Sequence, residues 1–234
     1  MKPIESLHYS IFFENSLQEL DKFLTEKKYS KVFILVDSNT EIHCLPLLES
    51  ALTNKDYDLI EITPGEENKN IDFCIGIWRM LLDFGADRNS ILINLGGGVL
   101  TDMGGFAAST FKRGIDFVQV PTTLLSQVDA SVGGKTGIDM DHVKNIIGTF
   151  TQPKAVFINT DFLATLDERE IRSGFAELIK HGMIYDASLF RQLKDIKPSQ
   201  ISPGLIYRSI EIKNEVVKAD PYEKGLRKIL NFGH

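Results

Sequence analysis

Three consecutive glycines, Gly96 to Gly98, could bind a phosphate group. They follow the apolar segment 91–95 and precede segment 101–111, which is rich in small residues and has helical composition. Glycines between a strand and a helix let the backbone approach a phosphate closely, and the helix N-terminus supplies N–H groups and the positive end of its dipole. A tight turn without a ligand is the alternative, and the GxGxxG spacing is absent. We favour the phosphate site because three glycines exceed what a turn requires.

Asp37 and the segment 133–136 are two further candidates for nucleotide binding. Asp37 ends the apolar segment 31–37, where its carboxylate could bind a ribose or cap a following helix. From the residues alone, capping is the better interpretation. The segment 133–136, Gly-Gly-Lys-Thr, imitates the end of a P-loop, but Asp129 stands where the first P-loop glycine belongs. We therefore reject an NTPase.

Glu177, Lys180 and His181 have the spacing of residues on one face of a helix. A Glu and a His four residues apart can share a metal ion, but a solvated face of ion pairs is more common. His234 is the last residue of the sequence, and a terminal histidine is usually frayed. The residue types alone therefore do not favour a metal site here.

Apolar segments rich in β-branched residues alternate with helical segments over the first two thirds of the sequence. The predicted strands are 31–37, 57–62, 91–95, 117–120 and 155–159, and the predicted helices between them are 71–84 and 101–111. Strands that alternate with helices indicate a parallel α/β sheet. After about residue 160 the pattern is helical, at 167–183, 188–193 and 205–218. We predict an α/β domain over residues 1–160 and the start of an all-helical domain over residues 161–234.

Charge and composition exclude several classes of protein. The 234 residues carry a formal charge of −6, which argues against a nucleic-acid-binding protein. No apolar segment approaches the ~20 residues of a membrane helix, and Lys2, Glu5 and His8 argue against a secretory signal at residues 1–10. The two cysteines form no CxxC pair, which fits a reducing cytosol. We therefore expect a cytoplasmic protein that binds neither nucleic acid nor a membrane.

The segments GGGVLTDMGGFAASTFKRGIDFVQVPTTLLSQVDASVGGKTGID, HVKNIIGTFTQPKAVFINTDFLATLDEREIRSGFAELIKHG and GLRKILNFGH resemble the 3-dehydroquinate synthase family over about residues 31–234. The resemblance implies a Rossmann-like NAD-binding domain followed by a helical domain. It implies a phosphorus–oxygen lyase of the shikimate pathway of aromatic amino acid biosynthesis. The family converts 3-deoxy-D-arabino-heptulosonate 7-phosphate to 3-dehydroquinate and phosphate, with catalytic NAD and a divalent metal, zinc or cobalt. It also implies a homodimer.

The resemblance assigns two groups of binding residues. Its NAD contacts fall at Asp37, Asn39, Glu66, Lys69, Gly97, Gly98, Val99, Asp102, Thr122, Thr123, Lys144 and Thr165. Its catalytic or substrate-contacting residues fall at Arg113, Asp129, Lys135, Asn145, Lys180, Lys213, Arg227 and Asn231. Arg113 matches an arginine that reaches phosphate across the family's dimer interface. Several cations suit a substrate that carries a carboxylate and a phosphate.

The metal ligands match only in part. Glu177 and His234 match two family ligands, whereas His181 matches a position that is not a ligand. The family's catalytic histidine and its last metal histidine would follow position 234, so we expect this chain alone to be inactive and to bind metal poorly. Three alternatives stay open: another sugar-phosphate cyclase, a metal-dependent alcohol dehydrogenase of the same architecture, and a nucleotide-binding module without catalysis.

Overall fold

A computed structural model describes residues 1–233, and its strands form a seven-stranded sheet and a separate hairpin. The strands are β1 (Ile4–Glu5), β2 (Ser10–Phe12), β3 (Val32–Asp37), β4 (Asp58–Ile62), β5 (Ile91–Gly96), β6 (Asp116–Pro121), β7 (Lys135–Met140), β8 (Val143–Phe150) and β9 (Ala155–Phe157). The α-helices are α1 (Ser16–Lys27), α2 (Ser38–His43), α3 (Leu45–Ala51), α4 (Ile71–Asp83), α5 (Gly98–Thr110), α6 (Glu168–Ile184), α7 (Ala187–Lys194) and α8 (Pro203–Ala219). The predicted ligand His234 lies outside the described residues.

The sheet has the order β1-β2-β9-β6-β5-β3-β4, and every pair except β1–β2 is parallel. The chain leaves β3 for β4 on one side and then returns to β5 on the other side. This reversal opens a crevice at the carboxyl ends of β3 and β5, which is where open α/β sheets bind ligands. Asp37 ends β3 and Gly96 ends β5, so the fold places both predicted nucleotide-binding segments at this crevice.

Both faces of the sheet are covered by helices, which explains the continuous apolar segments in the sequence. On one face, Phe33 and Leu92 pack with residues of α4 and α5, such as Ile77 and Met103. On the other face, strand residues pack with α1, α3 and Phe162. Strands that are buried on both faces have no need for alternating polar residues. The predicted parallel α/β fold is confirmed.

The structure differs from the sequence-based prediction at several places, and the helices α1, α2 and α3 were not predicted. Helix α5 begins at Gly98 rather than at Thr101, because Gly97 is its N-cap and Gly98 is already its first residue. The short strands β1 and β2 were not predicted, because two or three residues leave no periodic pattern. The hairpin β7–β8 was not predicted either, because its eight-residue strand β8 is largely exposed and carries no apolar run.

The region after Thr160 consists of short 3-10 segments and the helices α6, α7 and α8. Its apolar residues share a third core with the N-terminal strands: Ile4 and Ile11 pack with Leu178, Ile206 and Ile210. The domain boundary near residue 160 stays a prediction. Among the described residues, none of the helices is long and apolar enough to cross a membrane.

Candidate functional site

The three glycines make the turn from β5 into α5 and bring its backbone to the crevice. A Cβ on Gly96 would stand 2.7 Å from the Leu100 Cβ, and one on Gly97 would stand 3.1 Å from the Thr123 Cγ2. The Thr122 N–H donates to the Gly96 carbonyl at 3.0 Å, which joins this turn to the end of β6. The first N–H groups of α5 therefore face the crevice without side chains in the way.

A cleft of about 820 Å³ opens over this turn, and we call it the glycine-turn cleft. Every position to which the resemblance assigns an NAD contact lies on its wall. These positions are Asp37, Asn39, Glu66, Lys69, Gly97, Gly98, Val99, Asp102, Thr122, Thr123, Lys144 and Thr165. They come from six separate segments of the chain, so their convergence is a result of the fold.

Asp37 both caps a helix and lines the glycine-turn cleft. Its Oδ1 accepts hydrogen bonds from the backbone N–H groups of Asn39 (3.0 Å) and Thr40 (2.8 Å), and the Thr40 hydroxyl accepts from the Asp37 N–H. The capping interpretation from sequence therefore describes the structure. It is compatible with ribose binding, because both capping bonds use Oδ1 and a carboxylate has about four acceptor sites.

A buried network lies at the floor of this cleft. The Lys69 side chain is 4% exposed, and its Nζ donates to the Asp102 Oδ2 at 2.6 Å and to the Asn145 Oδ1 at 2.7 Å. Burial raises the pKa of Asp102 to about 6, and the Lys69 charge opposes this shift. Lys69 thus fixes a carboxyl group and an amide from two different elements. Near the mouth, the exposed Lys144 and Glu66 form an ion pair at 2.9 Å.

A second cleft of about 580 Å³ adjoins the first, and we call it the cationic cleft. Five of the predicted substrate-contacting residues line it: Asp129, Lys135, Asn145, Lys213 and Arg227. Asp102, Asp129 and Asn145 line both clefts, so the two spaces meet at these side chains. Groups bound in the two clefts would therefore share these side chains as neighbours.

Buried ion pairs hold two of these residues in place. The Lys213 Nζ donates to the Asp129 Oδ1 at 2.6 Å and to the Asp129 carbonyl. Burial lowers the pKa of Lys213, and the Asp129 carboxylate opposes this shift. Burial alone would raise the pKa of Asp129, but the charges of Lys213 and Lys180 hold it well below its usual range. Asp129 is therefore a carboxylate at neutral pH.

Arg227 and Lys135 supply the other two cations. The Arg227 guanidinium is buried, and its Nη1 donates to the carbonyls of Gly133 (3.0 Å) and Pro221 (2.7 Å). Lys135 is half-exposed, and burial together with the charges of Arg227 and Lys213 lowers its pKa to about 8. The cationic cleft thus combines one fixed guanidinium with an amine that can exchange a proton near neutral pH.

Glu223 is a cleft residue that the sequence-based assignment did not include. Its carboxylate forms an ion pair with Lys135 and accepts a hydrogen bond from the Asn231 Nδ2 at 2.6 Å. Asn231 does not line the cationic cleft itself, and it reaches the site through this bond. A signal existed in the sequence, because Glu223 lies four residues before Arg227 in the same motif.

The candidate metal donors lie where the two clefts approach helix α6. Donor atoms of Asp129, Glu177 and His181 all lie within 4.8 Å of one another. His181 is fully buried, its Nδ1 lies 2.7 Å from the Ser209 Oγ, and burial lowers its pKa to about 3. Lys180 forms an ion pair with Glu177. The solvated helix face that the sequence suggested is therefore wrong, because α6 packs this face against α8 and residues 126–130.

Arg113 lies apart from both clefts. It lines a shallow basic surface with Asp87, Arg88 and Lys112. The backbone φ angles of Lys112 and Arg113 are 49° and 69°, so a left-handed turn presents both side chains outward. Within the described chain, Arg113 is not brought to the other predicted substrate residues.

Two protein-family models match most of this chain. Residues 59–173 match the model of the 3-dehydroquinate synthase N-terminal domain, and residues 174–234 match that of the C-terminal domain. A 3-dehydroquinate synthase from Parabacteroides distasonis is 46% identical over 221 residues, which are 92% of this chain and 62% of the relative. One from Clostridium botulinum is 45% identical over 97% of this chain and 67% of the relative. The chain thus spans about two thirds of the length of these relatives.

Solved structures share the fold. A 2-deoxy-scyllo-inosose synthase complexed with carbaglucose-6-phosphate, NAD+ and Co2+ has a TM-score of 0.89 at 24% identity, covering 100% of this chain and 68% of that chain. A 2-epi-5-epi-valiolone synthase from Streptomyces hygroscopicus with NAD+ and Zn2+ bound has a TM-score of 0.84 at 27% identity, with the same coverage. The family matches and the identity to the curated relatives show that this chain belongs to the 3-dehydroquinate synthase family.

Proposed function

We propose that this chain supplies the cofactor-binding and substrate-binding clefts of a 3-dehydroquinate synthase, an enzyme that converts 3-deoxy-D-arabino-heptulosonate 7-phosphate to 3-dehydroquinate and phosphate. The observation that carries the proposal is the junction of the two clefts at Asp102, Asp129 and Asn145. A dinucleotide over the glycine turn would meet a sugar acid held in the cationic cleft. Reactions of this type need the cofactor and the substrate carbon in contact.

The proposed cofactors are NAD and a divalent metal, zinc or cobalt. The glycine turn fits a pyrophosphate, and the neighbouring carboxylate oxygens of Asp129 and Glu177 suit a divalent ion. When bound, NAD would take and return a hydride, and the metal would polarise the reacting hydroxyl. The solved relatives that carry NAD+ with Co2+ or Zn2+ support both assignments.

We assign Glu177 as a metal ligand, and the resemblance adds His234. The same resemblance excludes His181, although its ring lies beside Glu177. Counting bound Co2+ by mass spectrometry and by its visible absorption separates these possibilities. We expect Glu177→Gln to lose the metal and His181→Gln to retain it with an unchanged spectrum. Loss of metal from His181→Gln would make this histidine a ligand.

The residues of the cationic cleft would bind the substrate's anionic groups. Arg227 and Lys213 offer fixed positive charges, since their partners hold both side chains. Lys135 can leave Glu223 for a substrate anion and can exchange a proton, because its pKa lies at about 8. We propose that Lys180 and Asn231 complete the site and that Arg113 acts on phosphate in a homodimer.

The test is phosphate release from the heptulosonate phosphate by the full-length protein with NAD and zinc or cobalt, with Lys135→Ala as the control variant. A different sugar-phosphate cyclase is the second candidate, and the TM-score of 0.89 to 2-deoxy-scyllo-inosose synthase favours it at the level of fold. It predicts turnover of glucose 6-phosphate, the parent of the carba-analogue. An alcohol dehydrogenase would reduce NAD stoichiometrically and release no phosphate.

Three further expectations accompany this function. Inactivity of these 234 residues alone stays a prediction that the same phosphate assay decides. Homodimer formation is checked by sedimentation. A cytoplasmic location is checked by cell fractionation.

A further inference from the structure

The N-terminal hairpin ties the edge of the sheet to the helical region. Strand β2 pairs with β9, while the Tyr207 Oη donates to the Lys2 carbonyl at 3.0 Å and the Asn214 Nδ2 donates to the Glu5 carbonyl at 2.9 Å. The family model for the N-terminal domain begins at residue 59, beyond this hairpin. None of the binding residues assigned above lies in it.

Tyr9 is the residue of this hairpin that reaches toward the cationic cleft. Its side chain is 5% exposed and belongs to the third apolar core. The Tyr9 Oη accepts a hydrogen bond from the backbone N–H of Gly133 at 3.2 Å, and both groups are buried. Without that hydroxyl, the Gly133 N–H would be buried without a partner, which destabilises the local backbone conformation.

Gly133 connects Tyr9 to the cations of the cleft. Its carbonyl accepts from the Arg227 Nη1 at 3.0 Å, and a Cβ on Gly133 would stand 2.5 Å from the Arg227 Nη2. The φ angle of Gly133 is +106°, a left-handed conformation that glycine adopts readily. Lys135 follows two residues later at the start of β7. The position of the Gly133 backbone thus affects the positions of two cations of the cleft, Arg227 and Lys135.

We propose that Tyr9 is a positioning residue for the anion-binding site, since its hydroxyl holds Gly133 so that Arg227 and Lys135 converge on the cationic cleft. This inference rests on the proposed function to the extent that the cationic cleft binds an anionic substrate. Tyr9 touches no substrate itself. It acts through its hydrogen bond to Gly133, whose backbone connects it to Arg227 and Lys135.

The experiment compares Tyr9→Phe with Tyr207→Phe in the full chain. Each substitution keeps the ring and removes one hydroxyl that attaches the N-terminal hairpin, but only the Tyr9 hydroxyl bonds to Gly133. Hydrogen exchange of segment 131–137 and calorimetric titration with inorganic phosphate are the two measurements. For Tyr9→Phe we expect faster exchange in this segment and a roughly five- to thirty-fold loss of phosphate affinity, from an unsatisfied donor of about 1–2 kcal/mol.

Tyr207→Phe should change neither measurement, even where both variants melt a few degrees lower. Equal losses in the two variants would overturn the proposal, because they would indicate general loosening of the hairpin. Unchanged exchange and unchanged affinity in Tyr9→Phe would overturn it as well. If the parent chain does not bind phosphate, the proposed anion site fails. In that case, faster hydrogen exchange confined to segment 131–137 in Tyr9→Phe would still support the conclusion that the Tyr9 hydroxyl restrains Gly133. Unchanged exchange in this segment would refute that conclusion.

Discussion

Two glycines inside helices, Gly104 and Gly76, allow a test of how tightly the glycine-turn helix packs on the sheet. Gly104 lies in α5, where a Cβ would stand 2.6 Å from the Asn94 Cγ and 2.7 Å from the Leu35 Cδ2. Gly76 lies in α4 and would have nothing within 4 Å of a Cβ. The same change to alanine improves helix propensity by about 1 kcal/mol at either position. The two sites therefore differ in available space.

For Gly76→Ala we expect the free energy of unfolding to rise by about 1 kcal/mol, because nothing opposes the gain in propensity. For Gly104→Ala the added methyl must displace Asn94, which is fully buried and donates to the Gln119 Oε1 at 3.1 Å. Overpacking of this kind costs up to about 3 kcal/mol. The net destabilisation is therefore about 2 kcal/mol, or a melting temperature lower by roughly 4–8 °C in a chain of this size.

Urea unfolding measures the free energies of unfolding. Titration with NAD measures whether the turn that begins α5 has been disturbed. A shift of α5 away from the sheet would move the first turn at Gly98, so Gly104→Ala should also weaken NAD binding, whereas Gly76→Ala should not. Stability of Gly104→Ala at or above that of the parent would refute the reasoning. It would mean that the interface between α5 and β5 has room for a methyl group.

Three further predictions concern charged and titratable groups. Lys135→Ala should weaken phosphate binding by at least about ten-fold in calorimetry while changing stability by less than about 1 kcal/mol, since Lys135 is half-exposed and its partner Glu223 keeps the hydrogen bond from Asn231. Lys144→Met should lower NAD affinity in calorimetry with a similarly small effect on stability, because its ion pair with Glu66 is exposed. His181 has a pKa of about 3 in the folded chain, below the ordinary 6.5, so the unfolded chain binds the proton first and stability should fall as the pH drops from about 6.5 toward 3. Between pH 7.5 and 5, the urea midpoint should fall less in His181→Gln than in the parent chain. An equal fall in the two proteins would contradict a lowered pKa of His181.

Local sequence was sufficient for the parallel strands and for the glycine turn. The segments 31–37 and 91–95 are apolar at every buried position except Asn94, and the observed strands begin and end within one residue of them. The helix after the glycines was placed three residues late. Gly97 and Gly98 have no side chain that marks a helix start, so the start of α5 at this point depends on the packing of Thr123 against Gly97 and of Ala130 against Gly98.

The resemblance identified the residues of both clefts, but their grouping depends on the tertiary fold. Lys69 and Asn145 lie 76 positions apart and meet because β3, β4 and β5 end at the same edge of the sheet while β8 returns over it. Lys213 and Asp129 lie 84 positions apart and pair through the packing of α8 on residues 126–130. The prediction of a solvated helix face for His181 was wrong because the tertiary fold packs α6 against α8 and residues 126–130.

The sequence by itself determined the α/β class and the site of the crevice, because apolar periodicity and glycine content act over a few neighbouring residues. Tertiary structure alone decided that Glu223 neutralises Lys135, that His181 is buried beside Glu177, and that Tyr9 contacts Gly133. The longest of these contacts joins Tyr9 and Gly133, which lie 124 positions apart, and the burial of His181 depends on the packing of α6 against α8. Local propensities carry no information about such pairs, since the contacts form only when the sheet edge, the hairpin and α8 pack together.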